Sequence, residues 1–334
     1  MPISRLMPIL EEFGEYPEAY RPMIWRTILK LPQNYNSFGR LLKRELHACV
    51  ANYDKILSSV EHKAIERDLR ISHLKKIVSC LAHWTSIFAY VNYLPKFVFP
   101  FLMVCKGDLM LCFELIATLL LNHYQLMFEF LPSQMPYNYL CLTENILKEN
   151  DRKLFDFYQA KNVSAKMYAF PLIETAFSEV FSDEQWCQLW DHIVSNDPCF
   201  MVFVIVAYNI SLRFTIMRYE NIEGIERMFH EQNYVNIKKL LSNAYRMMEK
   251  CDTKVHPNHY LKSFSPLARN EYQKFENYPK NMNAMKVHEI DSLRQEQKVL
   301  DEKLSNMESF EKTINTRLES YLMDEEYQKR MQGT

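Results

Sequence analysis

Apolar residues recur along this chain with the period of a helix. Leu74, Ile77, Val78, Leu81, Trp84 and Phe88 follow i, i+3, i+4, i+7 spacing and share one face. Trp186, Leu189, Trp190, Ile193 and Val194 repeat the pattern after Ser182-Asp183-Glu184-Gln185, whose spacing is that of a capping box and predicts a helix start. Phe170-Pro171 puts proline in a first helical turn. Asp197-Pro198 leads into CFMVFVIVAYNI, apolar on all sides, which predicts a helix in the middle of the core. Between Val98 and Phe128 the runs FVFPFLMVC and LMLCFELIATLLL raise the question of a membrane span, but Lys106, Asp108 and Glu114 interrupt them. They stop short of the roughly 18 uninterrupted apolar residues a span needs, so buried helices and no transmembrane segment are expected.

From about Lys286 the pattern narrows. Ile290, Leu293, Gln297, Leu300, Leu304, Met307, Glu311, Ile314, Leu318 and Tyr321 alternate steps of three and four, and eight of the ten are apolar. This heptad seam predicts a coiled coil over residues 286–334, with Gln297 and Glu311 as register or oligomer determinants and with self-association or another coiled-coil protein as its partner. The alternative is one amphipathic helix folded back on the globular part.

Composition adds to this picture. Residues 33–94, 137–170 and 199–256 contain no proline, and the chain has only 5 glycines, which suits an all-α fold. Neither GxxxxGK[ST] nor GxGxxG occurs, so no nucleotide cofactor is expected by those routes. Lys plus Arg number 40 and Asp plus Glu 41, a net charge of -1 that gives no footprint for nucleic acid. The eight cysteines form no CxxC and no framework, as free thiols of a reducing compartment do, and no metal site is expected. The first twenty residues have neither the pattern of a signal peptide nor that of a transit peptide, so a cytoplasmic location is expected.

Three stretches then stand in a telling order. Arg21-Pro22-Met23-Ile24-Trp25 reads R-x-x-x-W. A helix carrying L-x-x-I-V from Leu74 leads into Phe88-Ala89-Tyr90-Val91-Asn92-Tyr93. Leu189-Trp190-Asp191 follows Phe177-Ser178-Glu179-Val180-Phe181 after a short break. In this order they resemble the TBC domain, the all-helical fold of Rab GTPase-activating proteins, over roughly residues 10 to 250. The resemblance implies a TBC-like domain at 1–250, a connecting segment at 251–285 and the coiled coil at 286–334. The wording of CLAHWTSIFAYVNYLPKFVFPF and PLIETAFSEVFSDEQW is similar to a divergent, centrosome-associated branch of the family, whose members carry a WD-repeat propeller before the domain and a coiled coil after it. No WD repeat is read here. That resemblance implies a location at the centrosome or centriolar satellites.

Active members of the family aim two fingers at the nucleotide of a bound Rab-type small GTPase: an Arg from I-x-x-D-x-x-R and a Gln from Y-x-Q. An arginine supplied in trans stabilises the charge of phosphoryl transfer and is worth roughly 10^3 to 10^5 in rate. In this chain Asp54-Lys55-Ile56-Leu57 puts Leu57 at the Arg place, and Asn92, two residues after Tyr90, stands at the Gln place with Tyr93 instead of glycine behind it. The register Ile65 to Ile71 also meets an Asp but ends without Arg, leaving Arg67 and Arg70 as the alternative fingers. The expectation is a scaffold or adaptor that holds a GTPase or another partner without stimulating hydrolysis. The alternatives are an active GTPase activator using Arg67 or Arg70 with Asn92, and a tether whose fold only carries the coiled coil.

Plainer roles are also expected. Trp25, Trp84 and Trp190 belong in a core, Arg21 and Asp191 tie helix ends, His83 is structural, and Arg67 and Arg70 sit in surface ion pairs. Glu114, alone in an apolar helix, needs a partner that the sequence does not name.

Overall fold

The computed structural model describes residues 6–51, 64–131, 133, 135–276, 279 and 282–332, with the side chains of 64–67, 282–289, 292–293, 319–321 and 323–332 outside that description. The chain divides into two units, Met1–Lys280 and Asn281–Thr334. The described residues hold helices and no strand. In the first unit the helices are α1 (Leu6–Phe13), α2 (Arg21–Ile28), α3 (Tyr35–Leu42), α4 (Ala64–Trp84), α5 (Leu94–Val104), α6 (Leu109–Asn122), α7 (Tyr137–Asn150) and α8 (Arg152–Ala160). They continue as α9 (Ala165–Tyr168), α10 (Phe170–Glu174), α11 (Asp183–Ser195), α12 (Phe200–Ser211), α13 (Arg213–Ile216), α14 (Ile222–Met228) and α15 (Ile237–Lys250).

Local chemistry sets these boundaries. The Ser182 hydroxyl accepts from Gln185 N at 3.4 Å and starts α11, although the Gln185 amide turns away to donate to Val235 O instead of closing the box. The long apolar stretch 98–128 is broken by Lys106 and Gly107, at φ +50° and +90°, after which Asp108 caps α6 through Leu111 N at 2.9 Å. Asp151 likewise caps α8 through Leu154 N. No described helix is long and apolar enough to cross a membrane. The face predicted to run from Leu74 to Phe88 is cut at Trp84. Phe88 lies in a separate 3-10 turn, Ser86–Tyr90, and is buried there.

Helix α12 is the core helix the sequence predicts, with every side chain from Phe200 to Asn209 buried between α7 and α15. The N-terminal helices α3 to α6 gather around α4, and α2 packs on both α6 and α11, which joins the two halves. All eight cysteines are free; Cys80, Cys105, Cys112 and Cys199 are buried, while Cys141 is exposed.

The stretch expected as a connector does not behave as a spacer up to residue 276. Asn122 Oδ1 accepts from Ser265 N at 2.7 Å, Gln125 Oε1 from Lys262 N at 2.8 Å, and Asn34 Oδ1 from Asn270 N at 2.7 Å. Phe275 closes the strap by packing on Phe88 and Phe128 at 5.1 and 5.7 Å between ring centroids. These side-chain amides satisfy a backbone that forms neither helix nor strand over residues 261–276.

The second unit is a single 51-residue helix, α16 (Met282–Gln332). Along its seam Ile290, Leu300, Leu304, Met307, Ile314 and Leu318 are exposed, while the Leu293 and Tyr321 side chains lie outside the described ones.

Candidate functional site

Two places carry the residues singled out by the sequence. The first joins the R-x-x-x-W of α2 to the L-W-D of α11. Asp191, fully buried, receives Arg21 Nε at 3.0 and 3.1 Å on its two oxygens, Trp25 Nε1 at 2.7 Å and the Tyr16 backbone N at 2.8 Å. Arg21 Nη2 also donates to Tyr16 O at 2.7 Å. Burial pushes the Asp191 carboxyl up to about 6, against the pull of Arg21 and the hydrogen bonds from Tyr16 and Trp25. A buried ion pair of this kind fixes geometry more than it adds stability, because desolvation offsets most of the attraction. Beside it Leu189 and Trp190 are fully buried, and Trp186 and Trp190 both donate their indole N–H to Ala176 O, at 2.7 and 3.0 Å. Ala176 and Phe177 reach that arrangement at φ +51° and +66°, a left-handed conformation that costs non-glycine residues free energy and turns one carbonyl toward two indoles.

The second place is the turn between the 3-10 segment Ser86–Tyr90 and α5. Asn92 is exposed in it, Tyr90 is half-buried, and Tyr93 is buried with its ring edge-on to Phe170 at 5.7 Å. The Tyr93 hydroxyl has no hydrogen-bond partner among the described residues, and burial, helped by Glu174, raises it well above the usual phenol range. Around this turn Lys96 Nζ reaches Glu179 Oε1 at 3.4 Å and His230 Nδ1 meets Glu179 Oε2 at 2.8 Å. The neighbouring Glu174 carboxyl is raised chiefly by burial, with Lys96 and His230 opposing and Glu179 adding.

Of the finger positions, Asn92 and Arg70 are the ones whose side chains are described. Leu57 and Asp54 lie outside the described residues, and Arg67 is in α4 with its side chain outside them. Arg70, half-buried, borders a cleft against Phe99, Met103 and Lys106, at and just past the far half of α5. Asn92 precedes that helix and is not among the residues that line the cleft.

Other sequence expectations find plain answers. His83 Nε2 donates to Glu45 O at 2.8 Å, and Trp84 is half-buried and donates to Gln273 O at 3.0 Å. Glu114 has the partners that the sequence could not name: Gln33 N at 2.9 Å, Asn34 N at 2.7 Å and the Tyr272 hydroxyl at 3.0 Å. Tyr16 and Ala176 escape a reading of the sequence because they act through backbone groups, which leave no side-chain signature. The positive φ values at Ala176 and Phe177 have no glycine to betray them.

Known proteins place this geometry. The description Rab-GTPase-TBC domain fits residues 18–216, more than half of the chain. TBC1 domain family member 31 of Homo sapiens is 36% identical over 306 residues, covering 89% of this chain and 28% of the relative. The Xenopus laevis protein of the same name is 35% identical over 316 residues, covering 94% and 28%. The chain thus spans little more than a quarter of the length of these curated relatives. Among solved structures, the Ypt/Rab-GAP domain of Gyp1p superposes with a TM-score of 0.54 at 18% identity, covering 73% of this chain and 92% of that one. The Chlamydomonas flagellar RabGAP TBC domain superposes at 0.56 with 15% identity, covering 71% and 83%. With its R-x-x-x-W and L-W-D motifs closed on one buried carboxylate inside the matched region, this chain belongs to the TBC domain family of Rab-GAP proteins.

Proposed function

We propose that this chain is a TBC domain that engages a Rab-type small GTPase or a related partner without accelerating hydrolysis, and that it serves as a scaffold. The observation that carries this reading is the Asn92 turn. Where an active member presents Gln followed by glycine, this chain presents Asn92, one methylene shorter, followed by Tyr93, whose ring is buried against Phe170. A side chain anchored in that way holds the turn in place and denies it the close backbone approach that glycine permits. Leu57 at the Arg place supplies no charge for the transition state. In this reading Arg67 and Arg70, both in the first two turns of α4, take no part in hydrolysis. As a scaffold the chain would pair α16 with a coiled-coil partner or its own copy, at the centrosome or centriolar satellites as the resemblance implies.

Single-turnover GTP hydrolysis over a panel of Rab GTPases tests the catalytic part. Stimulation is expected to stay below about tenfold, because a missing arginine finger alone corresponds to roughly 4–7 kcal/mol of transition-state stabilisation. Hundredfold acceleration of any Rab by the unaltered chain overturns the reading. Leu57→Arg with Asn92→Gln, assayed on whichever Rab binds, is expected to raise the rate if only the fingers are lacking.

A further inference from the structure

A cleft of about 1160 Å³ opens between α1, α5 and the start of α11, and Asn92 is not among its lining residues. Its volume exceeds the roughly 300–1000 Å³ of sites that enclose a small molecule. Its walls are apolar: Phe13 of α1, Phe99 and Met103 of α5 and Trp186 of α11 all line it. Phe13 is 62% exposed and Met103 36%, so the apolar surface runs out to the mouth instead of closing over. Two helices flanking such a trough make the shape that receives a third.

The charges at the rim decide what kind of helix. Glu15, Glu18, Asp183 and Glu184 line the cleft, against Lys106 and Arg70. Lys106 already pairs with Glu18 at 3.5 Å, and Arg21, held inside by Asp191, also reaches Glu15 at 3.5 Å, so Asp183 and Glu184 are the lining carboxylates that stand outside these pairs. Glu11 and Glu12 add two exposed carboxylates on α1 beside Phe13. The surplus of carboxylates around an apolar floor repels nucleic acid and anionic lipid, and it complements a helix whose polar face is Lys or Arg. The aliphatic stems of such residues lie along the apolar edges while their charged ends meet the carboxylates.

We propose that this cleft docks a basic amphipathic helix of a partner protein. The proposal is independent of whether the Asn92 turn engages a GTPase, since the two surfaces share no residue. The test uses the full chain and a fluorescent synthetic helix of about 14 residues, ~21 Å long, with Leu at i, i+3, i+4 and i+7 and Lys elsewhere. Two control peptides carry Glu for each Lys, or the same residues scrambled. Anisotropy is expected to show saturable binding of the Lys helix that weakens with salt, and binding at least about tenfold weaker for both controls. Phe13→Ser, exposed enough to leave the fold intact, and the pair Asp183→Asn with Glu184→Gln, both exposed, are each expected to weaken binding by about tenfold.

Equal binding of the Lys and Glu helices overturns the proposal, as do indifference to both sets of substitutions and the absence of binding at high micromolar peptide. Sedimentation of the chain with and without Phe13→Ser covers the remaining occupant. Self-association lost with Phe13 assigns the cleft to a second copy and also overturns the proposal.

Discussion

At the scale of single residues, Asp191 decides most. Three donors, two from α2 and one from the loop before it, converge on its carboxylate, so Asp191→Asn removes the charge that Arg21 was buried to meet. Arg21 then keeps the exposed Glu15 carboxylate at 3.5 Å as its charged partner, and a buried guanidinium stripped of its buried partner costs about 3–5 kcal/mol, a loss that urea unfolding is expected to register while a conservative change at exposed Glu12 registers almost none. His123 gives a pH signature of its own. It is buried with Nδ1 lacking a partner among the described residues, and burial holds its pKa down at about 4, against an ordinary value of 6.5. The unfolded chain therefore takes up a proton below about 6.5 that the folded chain refuses until about 4. Stability from the neutral imidazole is present above 6.5 and is lost as the pH falls to 4, by about 3 kcal/mol. The stability difference between the parent and His123→Leu is expected to shift by that amount between pH 7 and 4, and a flat difference would show that His123 keeps access to water. Of these residues Arg21, Trp25 and Asp191 were legible through their motifs. Glu114 was legible only as a buried charge in need, because Gln33 N and Asn34 N lie some 80 positions away in sequence.

At the scale of elements, periodicity locates the helices and misjudges the segments beyond their C-terminal ends. Helices α11 and α12 stand where capping chemistry and proline put them, since both signals are local. The break at Trp84 is invisible in the sequence because Phe88 keeps the helical spacing although the chain has already turned into a 3-10 segment. The strap of residues 261–276 is hidden for another reason: it has no periodicity, and it is held by the side-chain amides of Asn34, Asn122 and Gln125, each remote in sequence. Ending the chain at Lys250 strips the core of Leu261, Leu267 and Phe275, all buried. At roughly 1.5–3 kcal/mol for each side chain, that is about 5–9 kcal/mol, comparable to the whole stability of an ordinary domain. A chain ending at 250 is expected to be insoluble or to lack a cooperative melt, whereas one ending at 280 melts like the parent domain. Equal melting of the two would reduce the strap to decoration.

At the scale of the whole molecule, the two units pose opposite physical problems. The first hides its apolar residues and leaves the Asn92 turn and an acid-rimmed cleft on its surface. The second displays them: Ile290, Leu300, Leu304, Met307, Ile314 and Leu318 are all exposed along one seam of α16. A helix of 51 residues, with Val299, Phe310 and Leu322 exposed beside the seam and mostly polar residues elsewhere, cannot hold itself together by propensity alone, and each seam Leu or Ile gains roughly 1.5–3 kcal/mol on leaving water. The driving force for a covering surface therefore exceeds what a single helix can forgo. Glu311 at a seam position would face its own copy in a parallel homodimer, and two carboxylates there repel, which favours an antiparallel or heteromeric pairing. Sedimentation at micromolar concentration is expected to show that the full chain associates, or forms a complex with a coiled-coil helix, and that a chain ending at 280 is a monomer. Glu311→Leu separates the two arrangements. It is expected to tighten association and turn it parallel, readable as closer spin labels at matched ends, and a full chain that stays monomeric with or without that change removes the coiled coil from the function of this protein.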